Sequence, residues 1–128
     1  MFNLSWNNHV EDVASLEDVE ILLDKIHRES FGDAAQLAIV ESQINGDSLT
    51  IGLGSDISVL SFIPGDSNPP YLVSVGEVQG EDVIVFRLMG DWSEFPLKNG
   101  IPIQVARAAM RVFCRTGTLS ESVQWEQC

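Results

Sequence analysis

"LTIGLGSDISVLSF", residues 49–62, decides the fold. Gly52-Leu53-Gly54 follows an alternating apolar run, so the stretch reads either as a turn that cradles a phosphate or as the interior of a sheet. A phosphate loop needs several glycines leading into a helix whose N-terminal amides face the anion. Here the chain continues as "SDISVLSFI", alternating again, with no lysine and no third glycine at the required spacing. Period-two alternation is the signature of a half-buried strand. Gly52 and Gly54 then lie two apart on one face of a strand, where a missing side chain admits a bulge or lets a helix or an aromatic ring approach closely.

The same period extends outward. "QLAIVESQI", "SLTIGLG", "ISVLSFI", "YLVSVG" and "DVIVFRLMG" are separated by "NGD", "SD", "PGDSNPP" and "EVQGE", each a turn signal. Five short strands joined by tight connections predict an antiparallel meander, because parallel neighbours need crossovers of a dozen residues or more. "FNLSW" near the N-terminus and "ESVQWE" at 121–126 add a strand at each end. "SLEDVEILLDKIHRES", residues 15–30, predicts an amphipathic helix with Leu16, Val19, Leu22, Leu23 and Ile26 on one face. Ser15 can cap it, Glu17 and Asp18 suit its positive end, and Lys25 and Arg28 its negative end. A second helix is predicted from Pro102 to Arg115, with Ile103, Ala106, Met110 and Phe113 as its apolar stripe and Gly117 as its cap. Arg107, Arg111 and Arg115 form a separate basic stripe, read as solvated or paired with local carboxylates. "DWSEFPLKNG", residues 91–100, reads as a loop whose Trp92 and Phe95 either cover a core edge or face a partner.

With 128 residues, 45% of them hydrophobic, the chain is expected to form a single domain over 1–128 that buries roughly two thirds of the surface its unfolded form exposes. No apolar run approaches the roughly 20 residues that span a bilayer, and the start lacks the features of a secretory signal. A cytoplasmic protein is expected.

Charge is the informative bulk property. Seven Lys and Arg stand against 19 Asp and Glu, a formal net charge of −12 with a pI near 4.2. A nucleic-acid binder neutralises phosphates with Lys and Arg, so nucleic acid is not the expected partner. Residues 29–86 hold nine carboxylates (Glu29, Asp33, Glu41, Asp47, Asp56, Asp66, Glu77, Glu81, Asp82) and no Lys, Arg or His. Two readings stand: a solvated face that maintains solubility, and a surface that steers and docks a basic protein.

Chemistry-bearing motifs are lacking. No G-x-S-x-G elbow occurs, and His9 and His27 stand without a motif around them. Nineteen acids guarantee close carboxylate pairs, so such a pair carries no signal for glycoside hydrolysis. No acidic loop follows the calcium-binding pattern, and Cys114 and Cys128 lie in no zinc-like spacing. No metal and no cofactor are expected.

Set in order, "LTIGLGSDISVLSF", "YLVSVGE", the segment around "GDWSEFP" and "IPIQVARAAMRVFCRTGTLSESVQWE" resemble the first-numbered immunity-protein family of bacterial polymorphic toxin systems, antitoxins that often accompany nucleic-acid deaminase toxins. The last segment carries most of the likeness, with its Ile-Pro start, its helix ending in Phe113, the Thr116-Gly117 cap and the closing Trp125-Glu126. The resemblance spans residues 15–126. It implies an α+β fold, an antiparallel meander sheet of about six or seven strands with two main helices packed on one side. It also implies a protein that is not an enzyme and that binds a cognate toxin, blocking its active site or substrate groove. The family transfers no defined interface, so the acidic turns Asp47, Asp66, Glu81 and Asp82, with Asp91, Trp92 and Glu94, are the expected contact residues; Glu126 is assigned to the fold. The competing readings are a small ligand-binding or accessory α+β domain and catalysis by unrecognised carboxylates. A toxin gene immediately upstream would separate the first reading from both.

Overall fold

The computed structural model describes residues 1–32, 35–77, 80–88 and 90–128; Asp33, one of the nine acids above, lies outside them. The elements run β1 (Phe2–Trp6), β2 (His9–Val13), α1 (Leu16–Ser30), β3 (Gln36–Ser42), β4 (Ser48–Leu53), β5 (Ile57–Ser58), β6 (Leu60–Ile63), β7 (Leu72–Val75), β8 (Val83–Leu88), β9 (Asp91–Pro96), β10 (Ile101–Pro102), α2 (Ile103–Thr116) and β11 (Gln124–Gln127). The fold is α+β. Strands β3, β4, β6 and β7 form the expected antiparallel meander, flanked by β1 and β2 on one side and by β11 on the other.

Alternation along β4 divides the molecule into layers. Leu49, Ile51 and Leu53 point to the face shared with Leu4, Ala38, Val40 and Leu60, and this core is closed by Val19, Leu23 and Ile26 of α1 and by Ala106, Met110 and Phe113 of α2. Both helices therefore pack on one side of the sheet. Each large side chain so buried contributes roughly 1.5–3 kcal/mol. On the opposite face Leu37, Val59 and Val73 meet Phe86, with Ile84, Leu88 and Phe95 packed around them. Three layers result: helices, sheet, and a β8–β9 hairpin.

Local chemistry sets the helix ends. The Ser15 hydroxyl accepts from the Asp18 amide at 3.2 Å, and Gly117, at φ 75°, donates its amide to the Phe113 carbonyl at 2.8 Å. Pro102 precedes α2 and pairs with Ile57 in the small β5–β10 ladder instead of entering the first turn.

Two expectations are corrected, and one strand lies outside them. "DWSEFPLKNG" is not a loop: Asp91–Pro96 form β9, paired with β8 from Leu88↔Asp91 to Val83↔Pro96, and Leu97–Asn99 form a 3-10 turn. Ser93 and Phe95 turn inward while Trp92 and Glu94 turn outward, an alternation hidden among turn-favouring residues. β8 also leaves the meander, crossing to β3 through a parallel bridge at Gln36↔Arg87, with the Arg87 amide on the Ala35 carbonyl at 3.0 Å. Finally, the edge strand β2 was not anticipated, because its residues His9 to Asp12 are exposed and do not alternate. Its signal was Asn7-Asn8, at φ 43° and 63°, since Asn tolerates the left-handed region a tight hairpin turn requires.

The glycines of residues 49–62 are parts of this sheet. A Cβ on Gly52 would lie 2.4 Å from the Phe86 ring, and one on Gly54, at φ +96°, would lie 2.5 Å from the Ser30 carbonyl oxygen. Gly52 thus admits an aromatic ring, as anticipated, and Gly54, just past the end of β4, admits the end of α1.

Candidate partner-binding surface

The seven expected contact residues fall in two groups. Asp47 lies in the β3–β4 turn, where one carboxylate oxygen accepts from the Gly65 amide at 2.8 Å and so ties that turn to the β6–β7 loop. Asp66, exposed in that second loop, accepts from the Asn68 amide at 2.9 Å. The other five belong to the hairpin. Glu81 and Asp82 are exposed at its base, and Asp91 and Trp92 are exposed near its tip, with Glu94 between. The ladder that separates base from tip is about 17 Å long, so these residues form a stripe along the hairpin.

The hairpin's two faces differ sharply. Its inner face presents Ile84, Phe86, Leu88 and Phe95, with the rings of Phe86 and Phe95 edge to face at 6.4 Å. Its outer face carries three cross-strand pairs, Val83↔Pro96, Val85↔Glu94 and Arg87↔Trp92. Trp92 is 68% exposed, and its indole N–H donates to Glu94 Oε2 at 2.8 Å. Val83, Val85 and Arg87 were missed in the sequence because β9 was read as a loop, which left β8 without a partner to define an outer face.

Two arginines of α2 pair with acids of α1. Arg107 Nη1 donates to Asp24 Oδ1 at 2.8 Å, Arg107 Nη2 lies 3.5 Å from Glu20 Oε1, and Arg111 Nη1 is 3.1 Å from Glu20 Oε2. These contacts bridge α1 and α2 and pair two of the three stripe arginines. At the edge of this cluster His27 Nδ1 accepts from the Gly54 amide at 2.9 Å. Burial lowers the His27 pKa, helped by Arg107 and opposed by Asp24 and Asp56. A histidine held neutral in the fold stabilises it above the ordinary value near pH 6.5, and the contribution is lost as pH falls through the lower folded value. Melting temperature measured from about pH 7 to pH 5 should therefore fall less steeply for His27→Gln than for the wild type; parallel profiles would contradict this role.

Glu126 belongs to the fold. Asn99 donates to its carboxylate at 3.0 Å and Lys98 sits 3.2 Å away, and these hydrogen bonds hold it below the usual carboxylate range. Burial, with Glu20 nearby, pushes the Cys114 thiol up to about 12, so it stays protonated; Cys114 and Cys128 are free thiols. Among the described residues no group of three or more His, Cys, Asp or Glu is placed to hold a metal ion. No helix among them is long and apolar enough to cross a membrane.

The sheet backed by two helices leaves a hairpin with exposed acids and an exposed tryptophan on its outer side. In a comparison with known families, the family described as Immunity protein Imm1 matches residues 7–127. The chain belongs to that family and is an immunity protein. No curated protein matches it.

Proposed function

We propose that this chain, as one domain over residues 1–128, binds a cognate toxin domain in the cytoplasm. It neutralises that toxin without catalysis, by covering its active site or substrate groove with an acidic surface. The toxin acts on nucleic acid, as a deaminase or a nuclease. Neither nucleic acid nor membrane is a partner of this chain. The observation that carries the reading is the separation of charge. Five of the seven cations, Lys25, Arg28, Arg107, Arg111 and Arg115, sit on the two helices, where Glu17, Asp18, Glu20, Asp24 and Glu29 offset them, while residues 30–86 hold eight carboxylates and no cation. A toxin that grips nucleic acid is basic where it grips, and the β8–β9 hairpin with its approach, carrying Glu81, Asp82, Asp91 and Glu94 against Arg87, offers the opposite sign.

Such complementarity acts mainly on encounter. Reversing Asp66, Glu81, Asp82 and Asp91 together is expected to slow association with the toxin domain about tenfold or more at low salt and to flatten its salt dependence. Unchanged association kinetics would discard the patch. Asp47 is the least informative position to reverse, because its bond to Gly65 couples any effect to the loops.

One observation favours a second reading, a small-ligand domain. A cleft of about 460 Å³ between the ends of β7 and β11 and the start of α2 is lined by Ile57, Val75, Ile101, Val105 and Val123, with Glu77 at its rim. Its size falls within the range of ligand sites. A toxin complex that forms with the purified protein alone would favour the first reading.

A further inference from the structure

We infer that the outer face of the β8–β9 hairpin is the anchor of the complex, with Trp92 inserted into an apolar slot of a basic protein surface. This rests on the reading that the protein docks a toxin, and it adds which face docks and which side chain holds. Direction is the first argument. The inner side chains Ile84, Phe86, Leu88 and Phe95 pack on the sheet face opposite the helices, so Trp92, Arg87 and Val83 project away from the helix layer. A partner approaching from that side meets the hairpin first.

Exposure is the second. Trp92 is 68% exposed and Val83 52%, on a strand pair that also presents Val85 and Pro96. A large aromatic left in solvent on a rigid element, held by its own hydrogen bond to Glu94, loses little conformational freedom on burial. Tryptophan is also among the residues that most often dominate the energy of an interface.

Charge supplies the third argument and fixes the occupant. The hairpin and its approach carry Glu81, Asp82, Asp91 and Glu94 against Arg87 alone. Glu94 beside Trp92, with Glu81 and Asp82 at the base of the hairpin and Asp91 at its tip, complements a basic surface, whereas a second copy of this acidic chain would repel it.

The test uses the wild-type protein with the toxin domain encoded beside its gene. Oxidative footprinting read by mass spectrometry is expected to show Trp92 labelled in the free protein and protected in the complex. Ile21, 66% exposed on α1, should stay labelled in both. In parallel, Trp92→Ala should raise the dissociation rate roughly 30-fold while changing association little, and its unchanged melting temperature would show that folding is intact. Protection of Ile21 with Trp92 still reactive, or a wild-type dissociation rate for the variant, would overturn the inference and leave neutralisation by binding intact. Absence of any complex with the wild-type protein would overturn the reading beneath it.

Discussion

Phe86→Ala is expected to lower the free energy of unfolding by about 3–5 kcal/mol, a large share of the roughly 5–15 kcal/mol that holds a domain of this size together. The Phe86 ring is 1% exposed and occupies the space above Gly52 that any other residue would fill. Removing it leaves a cavity bounded by Leu37, Val59 and Val73, and it takes away the main support under the hairpin. Urea unfolding should show a lower midpoint with an unchanged slope. Because the ring seats the strand that pairs with β9, toxin binding should weaken as well, although Phe86 has no exposed surface to offer a partner. A loss below about 1 kcal/mol would mean that the hairpin is not packed on the sheet as described.

Gly54→Ala is expected to cost about 3 kcal/mol. Gly54 sits at φ +96°, where an added Cβ would lie 2.5 Å from the Ser30 carbonyl oxygen, a backbone atom at the end of α1. The chain cannot swing aside cheaply. The Gly54 amide donates to His27 at 2.9 Å and its carbonyl accepts from the Gly32 amide at 3.2 Å, so both peptide groups are held against the helix. Gly90→Ala is the internal comparison. It has a similar φ of +87° but nothing within 4 Å of its added Cβ, and should cost about 1 kcal/mol. Equal melting temperatures for the two variants would remove the close approach from the account and leave only backbone strain.

These two glycines also mark how far the sequence could be read. Alternation around Gly52 and Gly54 showed a sheet, and the missing helix, lysine and third glycine ruled out a phosphate loop. A close approach by a ring or a helix was legible, but the identity of the approaching groups was not, since Phe86 and Ser30 reach the glycines through tertiary packing. Helix α1 was legible almost to the residue because cap, apolar period and charge placement agreed. The hairpin was not. Its second strand carries Asp, Ser and Pro, residues that favour turns, and its pairing to β3 links positions far apart in sequence. Trp92 is an expected contact residue from its type and its place in a segment that reads as a loop; its outward direction follows from the β8–β9 ladder, and its bond to Glu94 from the two side chains sharing one face of β9. Charge gives only the sign of the proposed surface and leaves its shape open, because Asp47 and Asp66 lie on loops outside the hairpin.

The most direct measurement is co-expression of this chain with the toxin domain encoded beside it, in a host that the toxin kills, followed by purification through a tag on the toxin. The account predicts that growth returns and that the two proteins copurify as a stable complex whose association weakens as salt is raised. Continued killing with no copurification, while this protein is present and folded, would contradict neutralisation by binding.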